Sequence, residues 1–139
     1  MTKLQELKEK KASLLAEIQK EAQSFFNQEI KPLFAAHPAL ESFRWTQYTP
    51  YFNDGDECTF SAHTDDLTFN FDGKEYDYVS SYSLTNRSEK FPKEFANAAK
   101  AVFKFMGNFD DNDFEQMFGD HVEVIAKRDK VEINEYSHD

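Results

Sequence analysis

The densest group of side chains that could do chemistry contains five carboxylates and one histidine. Its members are Asp54, Asp56, Glu57, His63, Asp65 and Asp66. Carboxylates and imidazoles are common ligands of divalent cations, but the later ligands of the twelve-residue calcium loop are missing. In a meander, successive turns lie at opposite ends of the sheet, which would separate Asp54 and Asp56 from Asp65 and Asp66 by roughly 15–20 Å. We therefore expect no metal site and interpret these carboxylates as solvated turn residues.

Motifs of nucleophilic catalysis and phosphate binding do not occur in the sequence. The four histidines, which are His37, His63, His121 and His138, lack the spacing that places two rings on one helical face. Four glycines in the whole chain are too few for a backbone cradle around phosphates. A histidine and a carboxylate that the fold brings together would not be visible in the sequence. We expect a protein that is not an enzyme and has no cofactor.

Tyrosines beside acidic turns indicate a different kind of site. Tyr48 and Tyr51 precede Asp54 and Asp56, and such a patch would suit a basic protein surface, although sheet packing accounts for most of the tyrosines. The residues predicted to contact a protein partner are Tyr48, Tyr51, Asp54, Asp56, Glu57, Asp65, Asp66 and Asp72.

The formal net charge of −10 is concentrated in two parts of the chain. Residues 51–79 hold eight acidic residues and one lysine, and residues 108–139 hold ten acidic and three basic residues. Such a chain repels a phosphate backbone, so we expect no direct binding to nucleic acid. Two acidic ridges on a sheet would instead attract a protein with a basic surface.

Residues 2–31 have the apolar spacing of one long amphipathic helix. The apolar positions are Leu4, Leu7, Leu14, Ile18, Ala22, Phe25 and Ile30, with Leu15 and Phe26 beside them. A helix of this length spans roughly 45 Å, and a compact chain of this size is only roughly 35–40 Å wide. We therefore expect the first turns to extend past the body of the protein. Lys11 in the stripe argues against a strict heptad zipper but permits a short homodimer contact, and Pro32 should kink or end the helix.

The rest of the chain is predicted to form one antiparallel sheet with helices on one face. Alternating residues from 43 to 82 predict a four-stranded meander with turns at 53–56, 64–66 and 72–73. Helical spacing returns at 92–106 and at about 111–118, where Asp110 would be the N-cap. Strands around 122–126 and 131–133 complete the sheet as a C-terminal hairpin. The predicted fold class is therefore α+β, with residues 1–139 forming a single domain.

Several features favour the cytoplasm and a protein that does not bind membranes. No stretch is long and apolar enough to cross a membrane, and the N-terminus lacks the apolar segment of a signal peptide. Cys58 is the only cysteine, which excludes an internal disulfide, and its alternation with Phe60 and Ala62 predicts a buried side chain.

One segment resembles a run found in small uncharacterised proteins of bacteriophages and bacteria. It is Trp45-Thr46-Gln47-Tyr48-Thr49-Pro50-Tyr51-Phe52-Asn53-Asp54-Gly55-Asp56, followed by Cys58 and Phe60. The resemblance covers residues 43–62 and carries no activity that can be transferred. It implies a phage-linked setting in the cytoplasm of a bacterial host, where small acidic proteins often bind and block host factors.

Three hypotheses about function follow. The leading one is a non-enzymatic acidic module that binds a basic protein, as a phage inhibitor would if it imitated the charge of a nucleic acid. The second is a structural or assembly protein that self-associates through its N-terminal helix. The third is a small ligand-binding protein or enzyme with a pocket between sheet and helices, lined by tyrosines and Trp45.

Overall fold

The structure, a computed structural model, describes residues 2–50, 58–85 and 91–137. Within these ranges the helices are α1 (Lys3–Ala36), α2 (Ser81–Thr85), α3 (Lys93–Met106) and α4 (Asp111–Phe118). The strands are β1 (Leu40–Tyr48), β2 (Ser61–Ala62), β3 (Asp66–Phe71), β4 (Lys74–Ser80), β5 (Val122–Lys127) and β6 (Val131–Glu135). The predicted α+β class, the long N-terminal helix and the C-terminal hairpin are confirmed.

The described strands form one antiparallel sheet in the order β4-β3-β1-β5-β6, and β2 pairs with the end of β1. The first strand of the chain is therefore the central one. Its alternation explains why helices cover only one face of the sheet. Phe43, Trp45 and Gln47 are buried beneath α1 and α4. Arg44 and Thr46 point to the opposite face, which these helices leave open.

An aromatic core joins the helices to the covered face of the sheet. The ring of Phe26 in α1 lies 6.3 Å from the ring of Trp45 and 5.1 Å from that of Phe118 in α4. Further along the sheet, Phe95 in α3 contacts Phe69 in β3 with ring centres 5.4 Å apart. The Phe26–Phe118 and Phe69–Phe95 contacts are edge-to-face, and such contacts stabilise the core beyond the burial of apolar area.

Helix α1 has two unlike halves. Its C-terminal half buries Phe26, Ile30 and Phe34 in the core, whereas every residue from 3 to 18 is exposed. Of the two predicted effects of Pro32, a kink or an end of the helix, the second does not occur: α1 continues past the proline to Ala36. A proline inside a helix removes one hydrogen bond and strains the preceding turn. Burial of Phe34 after the proline keeps this last turn on the sheet.

One side chain from the β5–β6 turn holds the corner between α1 and β1. The guanidinium of Arg128 donates to the carbonyl oxygens of Phe34 at 2.8 Å, Pro38 at 2.7 Å and Leu40 at 2.6 Å. The last carbonyls of a helix have no partners within it, and a cation near them is favoured by the helix dipole. Arg128 therefore stabilises the end of α1 that Pro32 weakens.

The path of the chain beside β1 differs from the predicted meander. Strands β2 and β3 do not pair with each other, since both run antiparallel to β1 and lie end to end beside it. Gln47 pairs with Ala62, and Arg44 pairs with Thr68. Between these two pairs, the five residues 63–67 therefore lie opposite only two residues of β1. The pattern misleads because alternation looks the same whether two strands pair with each other or share a partner.

Cys58 is not buried in a strand as predicted. It precedes β2 and is partly exposed. The alternation of residues 58–62 becomes a strand only where β1 still offers partners, and β1 ends at Tyr48, opposite Ser61. Among the described helices, none combines the length and the apolar character that a membrane crossing requires.

Candidate functional site

The open face of the sheet carries a cleft of about 280 Å³, called here the open-face cleft. Among the residues that line it are Arg44, Thr46, Asp66, Tyr78, Glu123 and Tyr136. Sites for small molecules usually measure about 300–1,000 Å³. This cleft lies just below that range, so its size suits one inserted side chain better than a drug-sized ligand.

The extra residues between β2 and β3 form one wall of the cleft. The N–H of His63 still donates to the carbonyl of Thr46 at 2.9 Å, after which the chain departs from regular pairing and returns at Asp66. Both His63 and Asp66 thereby line the cleft. The ring of Tyr48 lies 4.5 Å from the ring of His63 and 5.6 Å from that of Tyr136, so three rings border this end. Partial burial, and then the neighbouring Tyr136, raise the pKa of Tyr48, which keeps its hydroxyl protonated.

A β-bulge in β4 supplies a second wall. Leu67 pairs with Val79 and Phe69 pairs with Tyr76, so Asp77 and Tyr78 together face one residue of β3. Tyr78 has a φ of 51°, which a bulky residue rarely adopts and which costs of order 1–3 kcal/mol. Bulges often re-aim a side chain beside a functional site. The ring of Tyr78 lines the cleft and is 79% exposed, so packing in the core does not account for this strain.

The charges of the cleft do not balance within the protein. Arg44 reaches across β3 to Glu75, with an N–O distance of 3.5 Å, so its charge is partly compensated. Glu123 lies beside Thr46 in the register of β1 and β5, and Asp66 lies on the other side of β1. In the part of the chain that the structure describes, neither Asp66 nor Glu123 forms an ion pair. The cleft therefore presents two carboxylates, together with tyrosine rings, to a cation.

Trp45 and Gln47, which alternate with Arg44 and Thr46 along β1, have side chains buried in the core. The indole Nε1 of Trp45 donates to Oε1 of Gln47 at 3.0 Å. Nε2 of Gln47 donates to the carbonyls of Phe114 and Gly119 at 2.9 and 2.7 Å. Gln47 is fully buried, and these bonds fix α4 on the sheet. Trp45 is 3% exposed and its ring packs in the core, although the residue is also one of those that line the open-face cleft. The hypothesis of a ligand pocket lined by tyrosines and Trp45 stays a prediction.

Asp120 also has a structural role, at the end of β1. Its carboxylate accepts from the N–H and the hydroxyl of Thr49 at 2.8 and 2.6 Å, and from the N–H of His121 at 2.8 Å. Partial burial acts to raise the pKa of Asp120, but the bonds from Thr49 and His121 outweigh it and lower the pKa. The charged carboxylate therefore ties β1 to the loop before β5.

No family model, curated protein or solved structure matches the chain. The resemblance of residues 43–62 to small phage and bacterial proteins stays a prediction.

Four of the residues predicted to bind a partner lie in the described ranges. Asp66 lines the cleft, Tyr48 borders it, and Asp65 is exposed beside Asp66. The structure places Asp65 and Asp66 beside the end of β1 that carries Tyr48. Strand β3 runs antiparallel to β1, so its first residues lie beside the last residues of β1. The predicted separation of Asp65 and Asp66 from Asp54 and Asp56 stays a prediction, because Asp54 and Asp56 lie outside the described residues.

Asp72 lies away from the cleft and from the predicted binding residues beside it. It lies in the predicted β3–β4 turn, where its N–H donates to the carbonyl of Ala39 at the start of β1. The length of β3 separates it from Asp66 by roughly 20 Å. The other predicted residues, which are Tyr51, Asp54, Asp56 and Glu57, lie outside the described residues, as does the predicted turn at 53–56.

The two acidic parts of the chain occupy opposite edges of the sheet. The described residues of the first lie largely on β3 and β4, and those of the second on α4, β5 and β6. Several carboxylates are also used internally. Glu132 contacts Lys127 at 3.0 Å and Lys130 at 3.1 Å, and hydrogen bonds from these lysines lower its pKa.

Over the described ranges, no three histidine, cysteine or carboxylate side chains come close enough to hold a metal ion.

Thr46, Glu123 and Tyr136 line the cleft but were not among the residues predicted to contact a partner. The period-two alternation of β1 and β5 contains a signal for them, because it assigns Thr46 and Glu123 to the face opposite the buried residues. These residues can be recognised as parts of one site only when β1 is known to lie between β3 and β5.

Proposed function

We propose that the protein is a binding module that holds a basic side chain of a partner protein in the open-face cleft. The observation that carries the proposal is the pair of carboxylates, Asp66 and Glu123, that line the cleft from either side of β1 without an ion pair among the described residues. An arginine or lysine side chain placed between them would compensate both charges through charge-assisted hydrogen bonds.

The aromatic side chains support a cation as the ligand. Tyr78 and Tyr136 line the same cleft, and a cation over a tyrosine ring gains about 0.5–1 kcal/mol at an exposed site. The strained backbone of Tyr78 supports a functional role for its ring. The volume of about 280 Å³ favours one inserted side chain over a larger ligand.

The net charge of −10 would act before contact, because it attracts a basic partner and speeds encounter. Imitation of a nucleic acid by the two acidic edges stays a prediction of this proposal. The resemblance of residues 43–62 favours a bacterial cytoplasm as the setting, with a host factor as the partner.

A titration with a triarginine peptide, followed by the amide signals of the ¹⁵N-labelled protein, tests the site. We expect the largest changes at the amides of Arg44, Thr46 and Thr68. The double variant Asp66→Asn/Glu123→Gln should bind about tenfold more weakly, because each of the two lost charge contacts is worth about 0.7 kcal/mol.

The matched control is Asp72→Asn/Glu94→Gln, which removes the same charge from exposed positions away from the cleft. It should weaken binding less than about twofold, since exposed charges beyond the screening length act little. Equal weakening in both variants would mean that triarginine responds to net charge alone, and the cleft would lose its assignment. Binding that is unchanged at about 0.5 M salt would also contradict the proposal.

A further inference from the structure

The exposed half of α1 carries an apolar stripe that the body of the protein does not cover. Its large side chains are between 43% and 61% exposed: Leu4, Leu7, Leu14, Leu15, Ile18 and Phe25. Positions 4, 11, 18 and 25 are seven residues apart, and so are positions 7 and 14, which is the spacing of a helix–helix seam. Helices of this kind gain most of their stability from packing an apolar face rather than from propensity.

The charges of α1 are arranged by position along the helix. Residues 3–11 contain four lysines and two glutamates, whereas residues 17–29 contain three glutamates and one lysine. The isolated helix gains little from this order. Lysines near a helix N-terminus oppose the helix dipole. Glu6 and Lys10 are also the only oppositely charged pair spaced four residues apart in α1.

A second helix of the same sequence gains from this order only when it runs in the opposite direction. The basic segment of each copy then lies beside the acidic segment of the other. A parallel pair would place lysines beside lysines and glutamates beside glutamates, which destabilises the contact.

We infer that two copies of the chain associate through the exposed halves of α1 in antiparallel order. In the register that overlaps residues 4–21, Leu7 of one copy faces Ile18 of the other, and Lys11 faces Leu14. Lys10 then lies beside Glu17 of the second copy, and the symmetry of the pair repeats this contact. The overlap uses the part of α1 that lies outside the core, so the two bodies lie at opposite ends of the helix pair.

Molecular mass in solution is the first test, measured on the full chain by light scattering and sedimentation at up to about 100 µM, where weak specific dimers still form. We expect twice the mass of one chain. Leu7→Gln/Leu14→Gln should raise the dissociation constant by at least about 100-fold, because it removes central apolar contacts. These side chains are exposed in the single chain, so the variant should keep its cooperative unfolding.

The matched control is Ala12→Gln/Ala16→Gln, which places the same side chain on the opposite side of the exposed helix. Its dissociation constant should stay within about threefold of the unaltered protein, since substitutions outside an interface are close to neutral. A monomeric unaltered protein, or equal effects of the two double variants, would overturn the inference.

Direction is tested by disulfide trapping in a Cys58→Ser background. Leu7→Cys and Ile18→Cys chains, one of them tagged, are mixed and oxidised. We expect the mixed disulfide to dominate, because the antiparallel register brings positions 7 and 18 together and separates each position from its own copy by roughly 16 Å. Preferential trapping of each variant with itself would indicate a parallel pair and overturn the antiparallel order. Neither result depends on the cleft, so this inference and the proposed function can fail separately.

Discussion

The two faces of the sheet respond differently to irregular pairing. On the covered face, Ala62, Leu67 and Val79 are all buried, although extra residues interrupt the pairing on either side of Leu67. On the open face, the same interruptions place Asp66 and Tyr78 at the cleft. The sheet therefore accommodates extra residues on its open side, while its apolar residues continue to point to the covered face. A packed core tolerates no such change, because its interior is filled.

Phe26→Ala tests the covered face and should have the largest effect. Removing this fully buried ring should lower the free energy of unfolding by about 3–5 kcal/mol, measured by urea denaturation. Phe25→Ala is the matched control, because the neighbouring ring is 55% exposed, and it should cost less than about 1 kcal/mol. Similar losses for both variants would show that the two sides of α1 are not distinct.

Gln47→Leu and Thr46→Val compare adjacent residues that point to opposite faces. The first should cost about 2–4 kcal/mol, since it leaves the indole N–H of Trp45 and two carbonyls without their buried partner. Thr46→Val should change the free energy of unfolding by less than about 0.5 kcal/mol. The difference between the faces would be lost if Thr46→Val proved as costly as Gln47→Leu.

Asp120→Asn should have a smaller effect that depends on pH. The folded protein lowers the pKa of Asp120 below its ordinary value of 3.8, so the charged form contributes stability above that value. This contribution is lost as the pH falls through the lowered pKa. We expect the variant to be about 1 kcal/mol less stable at neutral pH and equal to the unaltered protein near the acid limit. If the difference in the free energy of unfolding does not vary with pH, the loss comes from the changed packing of the side chain and not from its charge.

Tyr78→Asn should have the smallest effect on stability, and of the opposite sign. Asparagine adopts a positive φ more readily than tyrosine, so relief of strain should stabilise the fold by up to about 1 kcal/mol. Loss of the ring should weaken triarginine binding at the same time. Tyr82→Asn is the control, because Tyr82 is also exposed but lies in α2 and is not one of the residues that line the cleft. A destabilised Tyr78→Asn protein would mean that the bulge carries no strain.

Elements with strong local signals could be predicted from the sequence. Asp110 caps α4 by accepting a hydrogen bond from the N–H of Asp113, and Gly119 ends the helix. The turn at Asp72 and Gly73 joins β3 to β4, as its turn residues predicted. The confirmed fold class followed from these elements together with the helical and strand periodicities.

The candidate site could be predicted only in part, because strand order is a non-local property. Asp66 and Tyr48 were selected for their residue types, but Glu123 enters the site only because β5 is the other neighbour of β1. The excursion at residues 63–67 has the composition of a hairpin turn, and nothing local distinguishes the two. Tyr78 shows the same limit, since its bulge depends on which residue of β3 it faces.

The contact between Arg128 and the end of α1 has a consequence for the order in which the chain folds during synthesis. The guanidinium and the carbonyls that it binds are 88 to 94 residues apart. A ribosome adds that length in roughly 5–20 s. Throughout this interval the corner between α1 and β1 lacks its contacts with Arg128, and the sheet that packs on the helix is incomplete, because β5 and β6 are the last strands to be synthesised. Chaperones that bind nascent chains would meet this helix while its apolar residues are only partly covered.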